Sequence, residues 1–259
     1  MTFKAFVTAL FFTFVSASSL ADDIHWHKPE FIERAFVEIA LRNEYTRQGN
    51  FVRKWKKPIK IWLDHQVADQ QMHTDLVRMH IEHLTQITGH PIQLVSSESQ
   101  ANLKIVFTRQ VDWKRQVGRL FGKKAESVAH NAVCMANFRV NGRYEILSAG
   151  VIIPVDQARM HGKLVTCIVE EITQVLGLPN DSEKVYPSIF NDRTPEHLLS
   201  GLDYLLLKTL YQPEIKVGMT ESQARPVLRK VIRKWQSQGT IRDAAREVRR
   251  GELYPLLGY

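Results

Sequence analysis

The sequence predicts an α+β fold with a mixed sheet, a central helix and a mostly helical C-terminal part. Before residue 155, segments of alternating apolar and polar residues are interspersed with segments of helical spacing. The pair Asn141-Gly142 lies between two runs of strand-forming residues, which is a strong hairpin signal and predicts antiparallel pairing. Beyond residue 177, the long apolar patterns have helical spacing. We therefore expect a sheet with both strand directions, followed by helices.

The expected elements of the first part alternate along the chain. Helical spacing predicts helices over 30–42 and 74–88, the second of them ended by Gly89. Strands are predicted over 59–63, 92–95, 101–107, 131–140 and 144–154. Residues 111–121 are interpreted as a short helix or a loop.

Two start signals mark helices of the C-terminal part. Thr194-Pro195 has the residue types of an N-cap followed by a first-turn proline, ahead of a stripe rich in leucine. Thr220 and Gln223 predict a capping box at the start of the next helix. The basic stretch 242–250 is interpreted as a solvated helix face.

The first residues have the organisation of an export signal. Lys4 supplies a positive charge, residues 5–15 form an apolar core, and Ser19 and Ala21 place small residues before a cleavage site. We therefore predict a signal peptide over 1–21 and an exported protein, periplasmic or secreted, without a transmembrane segment. A retained signal anchor is the alternative interpretation, and N-terminal sequencing distinguishes the two.

The rest of the chain has the length of one large domain. We predict a single domain over 22–259, with the sheet and its helices in 22–176 and a helical subdomain in 177–259. The net charge of +8 is interpreted as scattered solubilising charge or as attraction to anionic envelope polymers or lipid surfaces. Nucleic acid is not an expected partner, because no binding motif is visible.

Cys134 and Cys167 are the two cysteines of the sequence. In an oxidising compartment such a pair is usually bonded, so we predict a disulfide between them. Two buried free thiols are the alternative. The absence of a C-x-x-C motif disfavours a redox enzyme.

The stretch 167–181 has the sequence C-I-V-E-E-I-T-Q-V-L-G-L-P-N-D. Its apolar residues recur at helical spacing, which predicts a helix with one buried stripe. Glu170 and Gln174 lie four residues apart and therefore share a helix face. Gly177 is expected to end the helix in a left-handed turn, and Asn180 follows that turn.

This pattern resembles the active-site helix of zincin metallopeptidases, in particular the longer form H-E-x-x-H-x-x-G-x-x-H. On that pattern, Glu171 takes the position of the general base and Gly177 that of the turn glycine. The three histidine positions are occupied by Glu170, Gln174 and Asn180. The resemblance implies a zincin-like fold in which Glu171 and Glu170 are the catalytic residues.

Two segments together are similar to a bacterial family of exported proteins of unknown function. They are C-x-x-E-E-x-x-Q-x-L-G-L-P-N-D over 167–181 and, over 188–211, S-I-F-N-D followed by L-D and L-Y. The S-I-F-N-D segment stands where metzincins make their Met-turn, with Phe190 in place of methionine. In this family the Glu-Glu-x-x-Gln form is the family's own pattern, and no established activity comes with it.

The positions that hold the metal in zincins offer only oxygen donors here, from Glu170, Gln174 and Asn180. A catalytic zinc site needs nitrogen or sulfur donors, whereas oxygen donors suit harder cations such as Ca²⁺ or Mn²⁺. If a cofactor is bound, the sequence therefore favours a divalent cation other than zinc. One carboxylate among three ligands predicts weak binding.

Three functional interpretations follow from these residues. The first is a peptidase-like hydrolase in which Glu171 is the general base and Glu170 the acid or a ligand. The second is an inactive pseudo-peptidase that binds a peptide or an envelope polymer, with 151–154 as an edge strand. In the third, Glu170, Gln174 and Asn180 only hydrogen-bond loops.

Overall fold

The structure is a computed structural model that describes residues 26–42, 50–127, 132–191, 193 and 196–259. The described strands are β1 (Lys54–Trp55), β2 (Ile59–His65), β3 (Ile92–Leu94), β4 (Leu103–Thr108), β5 (Met135–Val140) and β6 (Glu145–Pro154). The described helices are α1 (Pro29–Phe36), α2 (Gln70–Thr88), α3 (Trp113–Phe121), α4 (Val155–Met160), α5 (Leu164–Gln174), α6 (Gly201–Leu210), α7 (Glu221–Ser237), α8 (Thr240–Val248) and α9 (Leu253–Leu256). The predicted signal peptide and the Thr194-Pro195 pair lie outside the described residues.

The predicted elements before residue 155 are found, with shifts at their ends. A π-helical turn, Val37–Leu41, continues α1 and completes the predicted first helix. Gly89, at φ 68°, ends α2 as predicted. The ambiguous segment 111–121 contains the helix α3.

Within the described chain, the strands form one sheet in the order β1-β6-β4-β2-β3, and β5 pairs with β6. The pairs β1–β6, β6–β4, β4–β2 and β2–β3 are parallel. The pair β5–β6 is antiparallel and forms the predicted hairpin. The prediction of a mixed sheet in an α+β fold is therefore confirmed.

The predicted edge strand 151–154 begins inside the sheet, because Val151 and Ile152 have strand partners on both sides, so this prediction is wrong. In β6, Val151 pairs with Ile105 of β4 and with Ala136 of β5. The reason is that β5 folds back onto one edge of β6 while β4 covers the other. β5 is instead an edge strand, because β6 is its only strand partner among the described residues.

The two faces of the sheet bury different sets of side chains, because successive residues of a strand point to opposite faces. Ile61, Ile105 and Val151 belong to the main core, which α2 and α5 share. On the opposite face, Val106 and Ile152 pack in a smaller cluster with residues of α3.

The start of α6 differs from the prediction. The helix begins at Gly201, after the predicted Thr194-Pro195 start, with Ser200 as its N-cap. The Ser200 side chain accepts the N–H of Asp203, and the Asp203 carboxylate accepts the N–H of Ser200, which makes a capping box. The capping box predicted at Thr220 for α7 is confirmed.

In the parts of the chain that the structure describes, no helix combines the length and apolar character needed to cross a bilayer.

Candidate functional site

Helix α5 carries the Glu-Glu-x-x-Gln segment and ends at Gln174, just before the predicted turn. Ile168 and Ile172 on its inner side are fully buried, and the helix packs against α2, β5 and β6. Gly177 follows with φ 118°, and a Cβ at this position would lie 2.1 Å from the carbonyl oxygen of Arg53. Only glycine satisfies both the dihedral angle and this close approach. The predicted helix and its glycine turn are confirmed.

Two side chains bond the carbonyl groups of the two residues that follow α5, Val175 and Leu176. The Nε1–H group of Trp55 donates to the carbonyl oxygen of Val175 at 2.8 Å. The hydroxyl of Tyr211 donates to the carbonyl oxygen of Leu176 at 3.0 Å. Because the last carbonyls of a helix lack partners within it, these bonds hold the turn in place. Tyr211 is the tyrosine of the L-Y motif, whereas no sequence pattern singles out Trp55.

The two glutamates of α5 differ in exposure. Glu171 is buried, with 6% of its surface exposed, whereas Glu170 is half-buried. The helix therefore presents Glu170 more openly than the residue that takes the general-base position.

Gln174 and Asn180 meet at the same residue, Asp181. The Nε2 group of Gln174 donates to both carboxylate oxygens of Asp181, at 2.9 and 3.1 Å. The Nδ2 group of the buried Asn180 donates to the carbonyl oxygens of Asp181 and Glu38, each at 3.0 Å. Glu38 lies in the π-helical turn after α1. The structure thus brings these two predicted residues together, with their amide nitrogens engaged in internal hydrogen bonds.

Glu170, Gln174 and Asn180 do not fit a zinc ion, because they lack the imidazole nitrogen and thiolate sulfur donors that zinc prefers. Among the described residues, no three or more histidine, cysteine, aspartate or glutamate side chains are grouped to hold a metal ion. The assignment of these three residues as ligands of a harder divalent cation stays a prediction.

The S-I-F-N-D segment is held by Asp203, the aspartate of the L-D motif. Its carboxylate accepts hydrogen bonds from the hydroxyl of Ser188 at 2.6 Å and from the N–H groups of Ile189 and Ser200 at 3.0 and 2.7 Å. Burial raises the pKa of Asp203 to about 6, despite these hydrogen bonds. Phe190, which follows Ile189 in the chain, is fully buried. The two parts of the second motif segment therefore form one buried unit.

Helix α2 contributes three buried histidines, of which one contacts α5 directly. The ring Nε2 of His80 and the hydroxyl of Thr173 lie 3.1 Å apart. Burial lowers the pKa of His80 to about 3 and the pKa values of His73 and His83 to about 4. These imidazoles are therefore neutral at neutral pH.

The predicted disulfide between Cys134 and Cys167 is confirmed, with the two Cα atoms 5.9 Å apart. Cys134 directly precedes β5, and Cys167 lies in the first turn of α5. The bond therefore ties the edge strand to the motif helix.

Replacing both cysteines with serine is expected to lower the free energy of unfolding by roughly 3–4 kcal/mol in the chain-entropy model. The reason is that the bond joins residues 33 positions apart and so restricts the unfolded chain. Urea denaturation of the double variant and of the oxidised protein measures this difference. The unsubstituted protein in reductant is the matched control, and equal midpoints for oxidised protein and variant would contradict the prediction.

Comparison with protein families adds one result. A family model described as "Protein of unknown function (DUF2927)" matches residues 29–230. The chain belongs to this family. The match includes both motif segments, 167–181 and 188–211. The predicted similarity to a family of unknown function is therefore confirmed. A search of curated proteins found no match.

Proposed function

We propose that this DUF2927 protein is an exported, zincin-like pseudo-peptidase that binds an extended peptide along the outer side of β5. From β2 to α5 the order is β2, α2, β3, β4, α3, the β5–β6 hairpin, α4 and α5. It contains the strand, helix and strand, then the hairpin and the helix, that the zincin resemblance implies, with β4, α3 and α4 as additions. The disulfide and the signal-like first residues support export. The division of the domain after residue 176 stays a prediction.

The open side of β5 is the observation that carries this proposal. β6 is its only strand partner among the described residues, and Asn137 and Arg139 are exposed. The N–H group of Phe138 donates to Oδ1 of Asn137 at 2.7 Å, so a side chain of the same strand occupies it. An added strand replaces this local bond with main-chain hydrogen bonds, as in other complexes formed by strand addition.

The position of β5 relative to α5 supports a peptide site rather than an unspecific edge. The two elements are in contact, and the disulfide between Cys134 and Cys167 fixes their separation. A peptide bound along β5 therefore passes beside the helix that carries Glu170 and Glu171.

The burial of Glu171 favours binding over hydrolysis. A general base must reach a substrate or its attacking water within hydrogen-bond distance, and a side chain that is 6% exposed offers little room for either. The amide nitrogens of Gln174 and Asn180 are already bonded within the protein. The second candidate is a hydrolase in which Glu171 is the general base. The adjacent Glu170 favours this candidate, because it is only half-buried and would serve as the general acid.

A mixture of random octapeptides tests binding and cleavage together. The purified protein is incubated with the mixture, with and without Ca²⁺ or Mn²⁺, and retained and cleaved peptides are identified by mass spectrometry. The matched control is the same mixture N-methylated at alternate residues, which removes main-chain donors. We expect the protein to retain the unmodified mixture about tenfold better, because N-methylation removes one or two of the hydrogen bonds to β5. We also expect the retained peptides to remain uncleaved.

Three outcomes would overturn the proposal. Equal retention of both mixtures excludes strand addition. Cleavage products that disappear in the Glu171→Gln variant replace binding with hydrolysis. Retention of cell-wall fragments in preference to every peptide makes the envelope polymer the ligand.

A further inference from the structure

A groove of about 530 Å³ lies on the face of the sheet that α3 only partly covers. Its floor crosses three adjacent strands, where Lys104 of β4, Gly150 of β6 and Asn137 of β5 form one transverse row. Leu120 and Phe121, at the end of α3, line its side. A Cβ at Gly150 would lie 2.4 Å from Leu120 Cδ2, so the missing side chain lets α3 rest on the strand.

The groove has a cationic lining. Of the described residues that line it, Lys104, Arg119 and Arg139 carry positive charge and Glu98 carries negative charge. Arg119 pairs with Asp64 at 2.9 Å, and Lys104 pairs with Glu98. Because the Arg119 and Glu98 ends of these pairs are exposed to solvent, each pair contributes little energy.

Arg139 is the lining cation that lies on the open edge itself, because it belongs to β5. Its Nε–H group donates to the hydroxyl of Ser148 at 2.9 Å, which orients the guanidinium. No carboxylate among the described residues pairs with Arg139. Arg139 lies two residues from Asn137, so both side chains project on the groove side of the strand.

We infer that the bound peptide is acidic, with carboxylates at the alternate positions that face the groove. This inference rests on the proposed peptide site. Side chains of an added strand alternate between the two faces, and every second one therefore lies beside Asn137 or Arg139. Opposite charges on neighbouring strands attract, and a guanidinium binds a carboxylate with two parallel hydrogen bonds. Lys104 and Arg119 lie across the groove, but each is already paired with a carboxylate, so the attraction comes mainly from Arg139.

Three octapeptides of identical length test the charge preference. Each alternates threonine, which favours extended structure, with glutamate, glutamine or lysine. Fluorescence anisotropy measures the dissociation constant of each labelled peptide at low and at high salt. We expect the glutamate peptide to bind about tenfold more tightly than the lysine peptide at low salt, because Arg139 of β5 attracts a glutamate side chain and repels a lysine one. High salt should reduce this ratio, because exposed charges are screened.

Charge reversal on the protein assigns the preference to the groove. Arg139→Glu is expected to abolish or invert the ratio between the glutamate and lysine peptides. Arg143→Glu is the matched control, because it changes the same charge at an exposed position four residues away that does not line the groove. Lys104→Glu is a second test variant, on a different strand. Circular dichroism verifies that each variant is folded.

The outcomes separate this inference from the peptide site on which it rests. Binding of none of the three peptides removes the proposed function and the inference together. Equal binding of all three keeps the peptide site and overturns the acidic preference. The preference is also overturned if it persists unchanged in both Arg139→Glu and Lys104→Glu, or if Arg143→Glu abolishes it equally.

Discussion

Replacing Asp203 with alanine is expected to lower the free energy of unfolding by roughly 3–5 kcal/mol. The variant leaves three donors without their acceptor: the buried Ser188 hydroxyl and Ile189 N–H group, and the half-buried Ser200 N–H group. It also removes half of the capping box of α6. Urea denaturation at pH 7.5, followed by circular dichroism, measures the loss.

Asp203→Asn is the matched control for this substitution. An asparagine oxygen still accepts from Ile189 and Ser200, and its amide donates to the Ser188 oxygen. The pKa of Asp203 is raised by burial to about 6 from 3.8, so the folded state holds this proton more tightly than the unfolded state. The resulting stability is present below about pH 4 and is lost as the pH rises to about 6. Asparagine should therefore remove this pH dependence and cost little at pH 7.5; a loss as large as that of alanine would contradict this account.

Acidification from pH 7 to pH 4 is expected to unfold the protein, because three buried histidines resist protonation. The pKa values of His73 and His83 are lowered to about 4 and that of His80 to about 3, from 6.5. The unfolded chain therefore binds more protons in this range, and stability is lost as the pH falls from about 6.5 to about 4. Down to pH 4 each imidazole accounts for roughly 3 kcal/mol, and a loss of about 9 kcal/mol in all is comparable with the whole stability of a typical domain, about 5–15 kcal/mol. The opposite contribution of Asp203 offsets only part of this loss.

His73→Phe isolates one of these imidazoles. The ring of His73 stacks on Phe107 at 4.6 Å between centroids, and neither of its nitrogens has a hydrogen-bond partner among the described residues. A phenyl ring keeps the stacking and removes the titration, so the variant should be more stable than the unsubstituted protein at pH 5 by about 2 kcal/mol.

Urea midpoints at pH 7.5 and pH 5 measure this difference. His161→Phe, at an exposed histidine, is the matched control and should leave the acid sensitivity unchanged. If His73→Phe loses as much stability on acidification as the unsubstituted protein, His73 is not a source of the acid sensitivity.

Strong local periodicity made most of the strands and helices predictable, whereas strand neighbours other than those in the β5–β6 hairpin were not. The alternation in β6 is the same whether the strand is at the edge or inside the sheet. Its inner position depends on pairing with β4, whose Leu103 lies opposite Ala149, 46 residues later. The predicted start of α6 was wrong for a related reason. Thr194-Pro195 and Ser200 are competing local signals, and the bonds of Asp203 to Ser188 and Ile189 add long-range support at Ser200.

The candidate site shows the same limit. The helix, the glycine turn and the disulfide followed from spacing, residue type and cysteine count. The groups that hold the turn did not, because Trp55 and Glu38 contact it from positions 120 and 142 residues away. The burial of Glu171 also depends on how α5 packs, which the order of its residues alone does not determine.

The exposed edge at β5 has a consequence for the behaviour of the protein at high concentration. A free strand edge is a template on which a second copy can pair and start a fibril. Here Asn137 blocks one main-chain donor, and edge-to-edge contact of two copies would place the positive Arg139 side chains along the same seam. The resulting repulsion opposes self-association. The same positive charge that attracts a carboxylate-bearing chain therefore also protects the strand against pairing with a second copy of the protein.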